Sequence, residues 1–131
     1  MTANSLASVS LHPPLILVCI AESAQMLPIL NQVRRFGVNV LRSDQASISQ
    51  FFAQPDQPDA DEQALGIHFR WTANNIPLLE DALVQMECQV VSSHIAGDHT
   101  VFIARVETTR VHPGEPLLYY RGNYRHIGPP R

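Results

Sequence analysis

Charged side chains are scarce in this chain: Asp, Glu, Lys and Arg make up 16% of its 131 residues. An ordinary globular domain carries about 25%. The shortage predicts that part of the surface is covered by a partner, with a second copy of the chain as one candidate. The formal net charge is only -3, and the nine basic residues are scattered without forming a stripe. That pattern excludes phosphate-backbone binding, and hence nucleic acid, as the main task. The two cysteines, Cys19 and Cys88, both lie inside apolar runs, so buried free thiols are expected rather than a disulfide. There is no Cys-x-x-Cys pair and the six histidines are dispersed, so no metal site is expected. The contexts of a P-loop, a GxGxxG fingerprint and a Ser-His-Asp triad are also missing.

Long hydrophobic runs are lacking too. The longest, "PPLILVCIA", is far too short to cross a bilayer. The opening "MTANSLASVSLHPP" has neither the basic start nor the long apolar centre of a signal peptide. A cytoplasmic location away from membranes is therefore expected. The length suits one domain, 1–131, able to bury roughly two-thirds of its unfolded surface.

What is present reads mostly as strands. "LILVCI" (Leu15 to Ile20) is a continuous apolar run, as in a strand buried on both faces or in a barrel. "RFGVNVL" (35–41) alternates. "IHFRW" (67–71) is a short strand and "NNIPLLEDA" (74–82) a turn and connection. "ALVQMECQVV" (82–91) has clean period-two alternation, which puts Val84, Met86, Cys88 and Val90 inward and Gln85, Glu87 and Gln89 outward. The Gly97-Asp98 turn leads into "HTVFIARVETTRV" (99–111) as a hairpin, and "PLLYYRGNYRHI" (116–127) reads as a last strand. Two short helices are predicted. One is capped by Ser23, with Met26, Leu27, Ile29, Leu30 and Val33 inward and Pro28 tolerated only in the first turn; the other is capped by Ser43, with Ile48, Phe51 and Phe52 inward. The Pro- and acid-rich stretch 54–66 is the one long loop. Together these elements predict a mainly β fold, an antiparallel barrel with helices packed outside it. Protection of its sheet edges calls for closure or dimerisation.

Three clusters of polar residues sit at strand ends. The hydroxyls and amides of "TANS" (2–5) suit a polar ligand such as a ribityl chain or phosphate, and equally suit a segment that covers turns and caps. His99 of "GDH" is either a solvated turn residue or an imidazole held at a barrel rim against a bound ring. "YYRGNY" (119–124) is either a binding edge with Arg121 ready for a phosphate, or a tyrosine-rich strand at a dimer interface.

Their order along the chain is the specific feature. "MTANSLASVSLHPPLILVC", "RFGVNVL", "QASISQFFA", "PLLEDALVQMECQVV", "AGDHTVFIARV" and "PLLYYRGNY" follow one another in a way that resembles the flavin reductase-like domain family, from Met1 to about Ile127. These are the small reductase components of two-component flavin monooxygenases. The resemblance implies an FMN-binding split barrel and a homodimer. It implies hydride transfer from NADH or NADPH to FMN or FAD, with the reduced flavin passing to an oxygenase partner. It also implies roles for particular residues. Met1, Thr2, Asn4 and Ser5 match the segment at the flavin ring edge and ribityl chain. Cys19, Ile20 and Ala21 match backbone contacts to the ring, and Phe51 and Phe52 match a helix closing over it. His99 matches a catalytic histidine near the nicotinamide. Tyr120, Arg121, Gly122 and Asn123 match the segment associated with the nicotinamide nucleotide. Gln25 and Met26 stand where relatives hold the flavin phosphate with a cation and a hydroxyl, a role that Arg34 or Arg35 would then have to fill. The family also has a helix and one or two strands ahead of the position of Met1, so the resemblance implies a barrel short of those elements. The alternative is a flavin-binding split barrel without turnover, or an inactive truncated reductase. An oxidase of the pyridoxamine-phosphate type would require a more basic phosphate pocket.

Overall fold

The computed structural model describes residues 1–55 and 65–131; most of the expected long loop, 56–64, lies outside them. Five strands form one antiparallel sheet in the order β1 (Ala7–Leu11), β2 (Pro14–Ala21), β7 (His99–Val111), β6 (Val84–Ala96), β3 (Arg35–Val40). The serine-rich β1 was not anticipated as a strand; it pairs Ala7 with Leu17 and Leu11 with Pro14. The apolar run at β2 sits between β1 and β7, which satisfies its backbone on both sides. Gly97 takes φ +61 in the turn between the long strands β6 and β7, as the sequence requires there.

Helix α1 (Met26–Val33) covers one face of the sheet. Leu30 enters a core of Val18, Ile20, Val90 and Phe102, with Met26, Leu27 and Phe36 packed against it. The helix starts at Met26 with Gln25 at its N-cap and no side-chain cap bond, not at Ser23. Pro28 falls in the first turn, where its missing N–H leaves no partner unserved. Ile29 and Val33, expected inward, are each 54% exposed, because so short a helix on a sheet buries a single stripe. Helix α2 (Ala46–Ala53) lies over a second core of Ile48, Ile67, Leu79 and Ala82, with Phe51, Phe52 and Phe69 at its margin. Its N-cap is Gln45, not Ser43. The buried Gln45 amide accepts from Arg42 N–H (2.8 Å) and donates to the Asp81 carbonyl (3.1 Å).

The third layer corrects the reading of β6. A two-stranded sheet of β4 (Phe69–Trp71) and β5 (Pro77–Leu79) lies close over β3 and β6, so part of the expected connection 74–82 is a strand. A Cβ on Gly37 of β3 would stand 2.7 Å from Leu78 Cδ2 and 3.0 Å from the Pro77 carbonyl oxygen, so this approach requires glycine. Gln85 and Glu87, expected outward, are only 1% and 4% exposed. The Gln85 amide donates to the carbonyls of Leu79 and Glu80, and its oxygen accepts from Arg70. The Glu87 carboxylate accepts from Thr72 Oγ1 and Asn74 Nδ2 and lies 3.5 Å from Arg35 Nη1. These two polar side chains thus anchor the small sheet to the large one.

The segment 116–127 is also not a single strand. β8 (Leu118–Tyr120) and β9 (Asn123–Arg125) form a hairpin. Arg121 and Gly122 occupy its turn with φ +52 and +77, the pattern of a two-residue primed turn.

Candidate functional site

The N-terminal segment forms a strap between α2 and β2. Thr2 N–H donates to the Phe52 carbonyl (3.1 Å) and Thr2 Oγ1 to the Ser49 carbonyl (2.7 Å). Three residues later, Ser5 Oγ lies 3.0 Å from both the N–H and the carbonyl oxygen of Cys19. The pairing of Ala7 with Leu17, continued, sets Ser5 opposite Cys19. Its hydroxyl therefore finishes a ladder that β1 no longer supplies, and the Cys19 amide on that side is already engaged by Ser5. Met1 and Asn4 lie on the same strap, exposed.

From Cys19 the chain runs to His99. Residues directly opposite on antiparallel strands share a face. Cys19 pairs with Val101 and Ala21 with His99, so these four line one face at the end of the sheet, all half-buried. Phe102, directly opposite Val18 and packed with it and Ile20 in the core under α1, faces the other way. Ile20 is buried in that core, so its backbone alone is available to a ligand. His99 Nδ1 is 2.7 Å from Asp98 Oδ1, and this pairing with the imidazole holds the Asp98 carboxyl below the usual carboxylate range. The Glu22 N–H donates to the Asp98 carbonyl (2.8 Å), which ties the end of β2 to the turn. A cavity of about 340 Å³ opens there, lined by Glu22, Leu27, Asn31, Ser93, Ile95 and His99 among others.

Phe51 and Phe52 meet edge to face at 5.0 Å, and Phe52 meets Phe69 at 6.3 Å, beside the Thr2 end of the strap. Tyr120, Arg121, Gly122 and Asn123 form the exposed tip of the β8–β9 hairpin, where the Arg121 guanidinium lies 5.6 Å from the centre of the Tyr120 ring. Tyr124 of the same hairpin donates from its hydroxyl to Ser49 Oγ (2.8 Å), on the helix that holds Thr2. The strap, the Cys19–His99 face, the Phe51–Phe52 pair and the hairpin are thereby linked through α2 and β2. Gln25 and Met26 differ from each other: Gln25 is exposed at the start of α1, whereas Met26 packs into the core. Arg34 caps the far end of α1, and Arg35 is bound to Glu107 and Gln89.

A larger hollow of about 530 Å³ lies between the small sheet and β7. It holds none of the residues the sequence pointed to. Ser49 went unnoticed in the sequence, where Asp98 figures only as a turn residue and Tyr124 only as part of the 119–124 edge. A serine at an inward position of α2, among Ile48, Phe51 and Phe52, was the one signal that could have shown Ser49.

Comparison with known proteins matches residues 1–128 to the flavin reductase like domain. An NADH-dependent flavin reductase from a Rhodococcus species is 41% identical over 128 residues, covering 97% of this chain and 69% of the relative. An NADH-dependent FMN reductase from Streptomyces nodosus subsp. asukaensis is 34% identical, covering 99% and 71%. The solved structure of the styrene monooxygenase flavin reductase from Pseudomonas putida S12 superimposes with a TM-score of 0.87 at 33% identity, over 98% of this chain and 80% of that one. The chain belongs to the flavin reductase-like domain family, and its architecture is a mainly β split barrel with two flanking helices.

Proposed function

We propose that this chain transfers hydride from NADH or NADPH to FMN or FAD and supplies the reduced flavin to a monooxygenase partner, as a cytoplasmic homodimer. One observation carries the reading. The polar strap Thr2–Ser5 is pinned at both ends, to Ser49 and Phe52 and to Cys19, and borders the half-buried face that ends at His99. A flat ring with a polar edge calls for such a surface: aliphatic along its plane, with hydroxyls and amides at its rim. The flavin, when bound, supplies the redox chemistry, taking two electrons and a proton's worth of hydrogen as hydride.

The protein's own part is positioning. Met1, Thr2, Asn4 and Ser5 hold the ring edge and ribityl chain. The backbone of Cys19, Ile20 and Ala21 would contact the ring, and Phe51 and Phe52 would shield it. His99, steadied by Asp98, meets the nicotinamide side, and Tyr120 to Asn123 close over the nucleotide. Two rings must sit in near contact for the transfer, and holding them so supplies much of the rate. The dimer accounts for the scarce surface charge and for apolar side chains left in water, such as Leu11 and Ile95.

The second reading is flavin binding without turnover. It is favoured by one feature: Gln25 and Met26 bring no cation or hydroxyl to the expected phosphate position. Flavin-dependent oxidation of NADH by the purified chain separates the two readings.

A further inference from the structure

Among the described residues, the β8–β9 hairpin shares no strand ladder with the two other sheets. Its base is held by main chain, where Leu117 N–H donates to the Leu41 carbonyl (2.9 Å) and Pro116 bridges Arg42. Beyond the base, among the described residues, one side-chain hydrogen bond joins it to another element. This is the bond from the Tyr124 hydroxyl to Ser49 Oγ at 2.8 Å. Tyr119 rests edge-on against Tyr124, ring centres 5.4 Å apart, so the outer aromatic depends on the inner one. Ser49 is itself buried. Its hydroxyl serves the hairpin, while its carbonyl oxygen accepts from Thr2 Oγ1 of the strap. Two segments more than a hundred residues apart in the chain thus meet on a single residue of α2.

We propose that Ser49 is a positioning residue: through Tyr124 it sets the distance between the β8–β9 hairpin and the Thr2–Ser5 strap, and so tunes the hold on the nicotinamide nucleotide. The proposal rests on the reading of the strap as the flavin side and the hairpin as the nucleotide side. The two bonds on Ser49 are chemically separable, because removing its hydroxyl leaves its carbonyl in place. Loss of the hydroxyl pair therefore frees the hairpin and spares the strap.

The test is steady-state kinetics with NADH and FMN on Ser49→Ala, Tyr124→Phe and the double variant, together with FMN titration. A neutral hydrogen bond lost from such a junction corresponds to roughly a three- to tenfold change. Each single variant is expected to raise the KM for NADH by that factor, with kcat and the FMN Kd within about twofold of wild type. The double variant is expected to match the singles, because both remove the same bond. A role in stability alone would instead weaken FMN binding and thermal stability together, and that result overturns the proposal. So does an unchanged KM in the single variants, or effects that multiply in the double. Tyr124→Phe keeps the ring against Tyr119, so it carries the test if Ser49→Ala does not fold. A wild-type chain that oxidises no NADH overturns the underlying reading, and the proposal with it. That result is distinct from active variants with an unmoved KM.

Discussion

His99 leaves the turn with Nδ1 on the carboxylate of Asp98. Both groups face water, so the pair adds little to stability. His99→Ala is therefore expected to melt close to wild type while NADH-dependent flavin reduction falls about tenfold or more; turnover equal to wild type removes His99 from the mechanism. The two thiols differ in a testable way. Burial pushes the Cys88 thiol up to about 12, with the charges of Glu107 and Glu87 adding to it. At about pH 8 only roughly one molecule in ten thousand is then a thiolate. Cys19 is half-buried on the face assigned to the flavin. Alkylation followed by mass spectrometry is expected to modify Cys19 and spare Cys88 in the folded chain, with FMN protecting Cys19; labelling of Cys19 indifferent to FMN would place the ring elsewhere. At this scale the motif order singled out Thr2, Ser5, Cys19 and His99, and the structure joins Ser5 to Cys19 and sets Cys19 and His99 on one face. Ser49 and Tyr124 were not legible, because nothing in a helix written "ASISQFFA" says which serine meets a tyrosine 75 residues later.

The elements show where pattern reading holds and where it stops. Strands β2, β3, β6 and β7 emerge from apolar runs and alternation because each has a face on the core. The same alternation assigned Gln85 and Glu87 to solvent. Alternation tells two faces apart but does not show that a second layer will cover the polar one. Here the β4–β5 sheet covers it, and the amide and carboxylate become its anchors. "YYRGN" read as a continuous strand because arginine is an unusual first residue for a primed turn; the following glycine was the clue. Gly37 gives this layer its test. Gly37→Ala puts a methyl against Leu78 and the Pro77 carbonyl, an overpacking expected to cost about 1–3 kcal/mol. Urea unfolding followed by the fluorescence of Trp71, the single tryptophan and a residue of β4, reads that loss directly. Stability equal to wild type would mean that β5 does not press on β3 as described.

For the molecule as a whole, the short alternating segments already indicated a mainly β fold. The arrangement of strands around β2 and β7 came from pairings that no local pattern encodes. The sheet sets the Cys19–His99 face, α2 ties the strap to the hairpin, and the family to which the chain belongs uses this fold to bring hydride and flavin together. The most direct measurement is the loss of reduced-nicotinamide absorbance when the purified chain is given NADH, with and without FMN. The account predicts oxidation that depends on added flavin and saturates in both substrates. A chain that binds FMN in titration yet leaves NADH untouched would contradict it, and would make this split barrel a flavin-binding protein rather than a reductase.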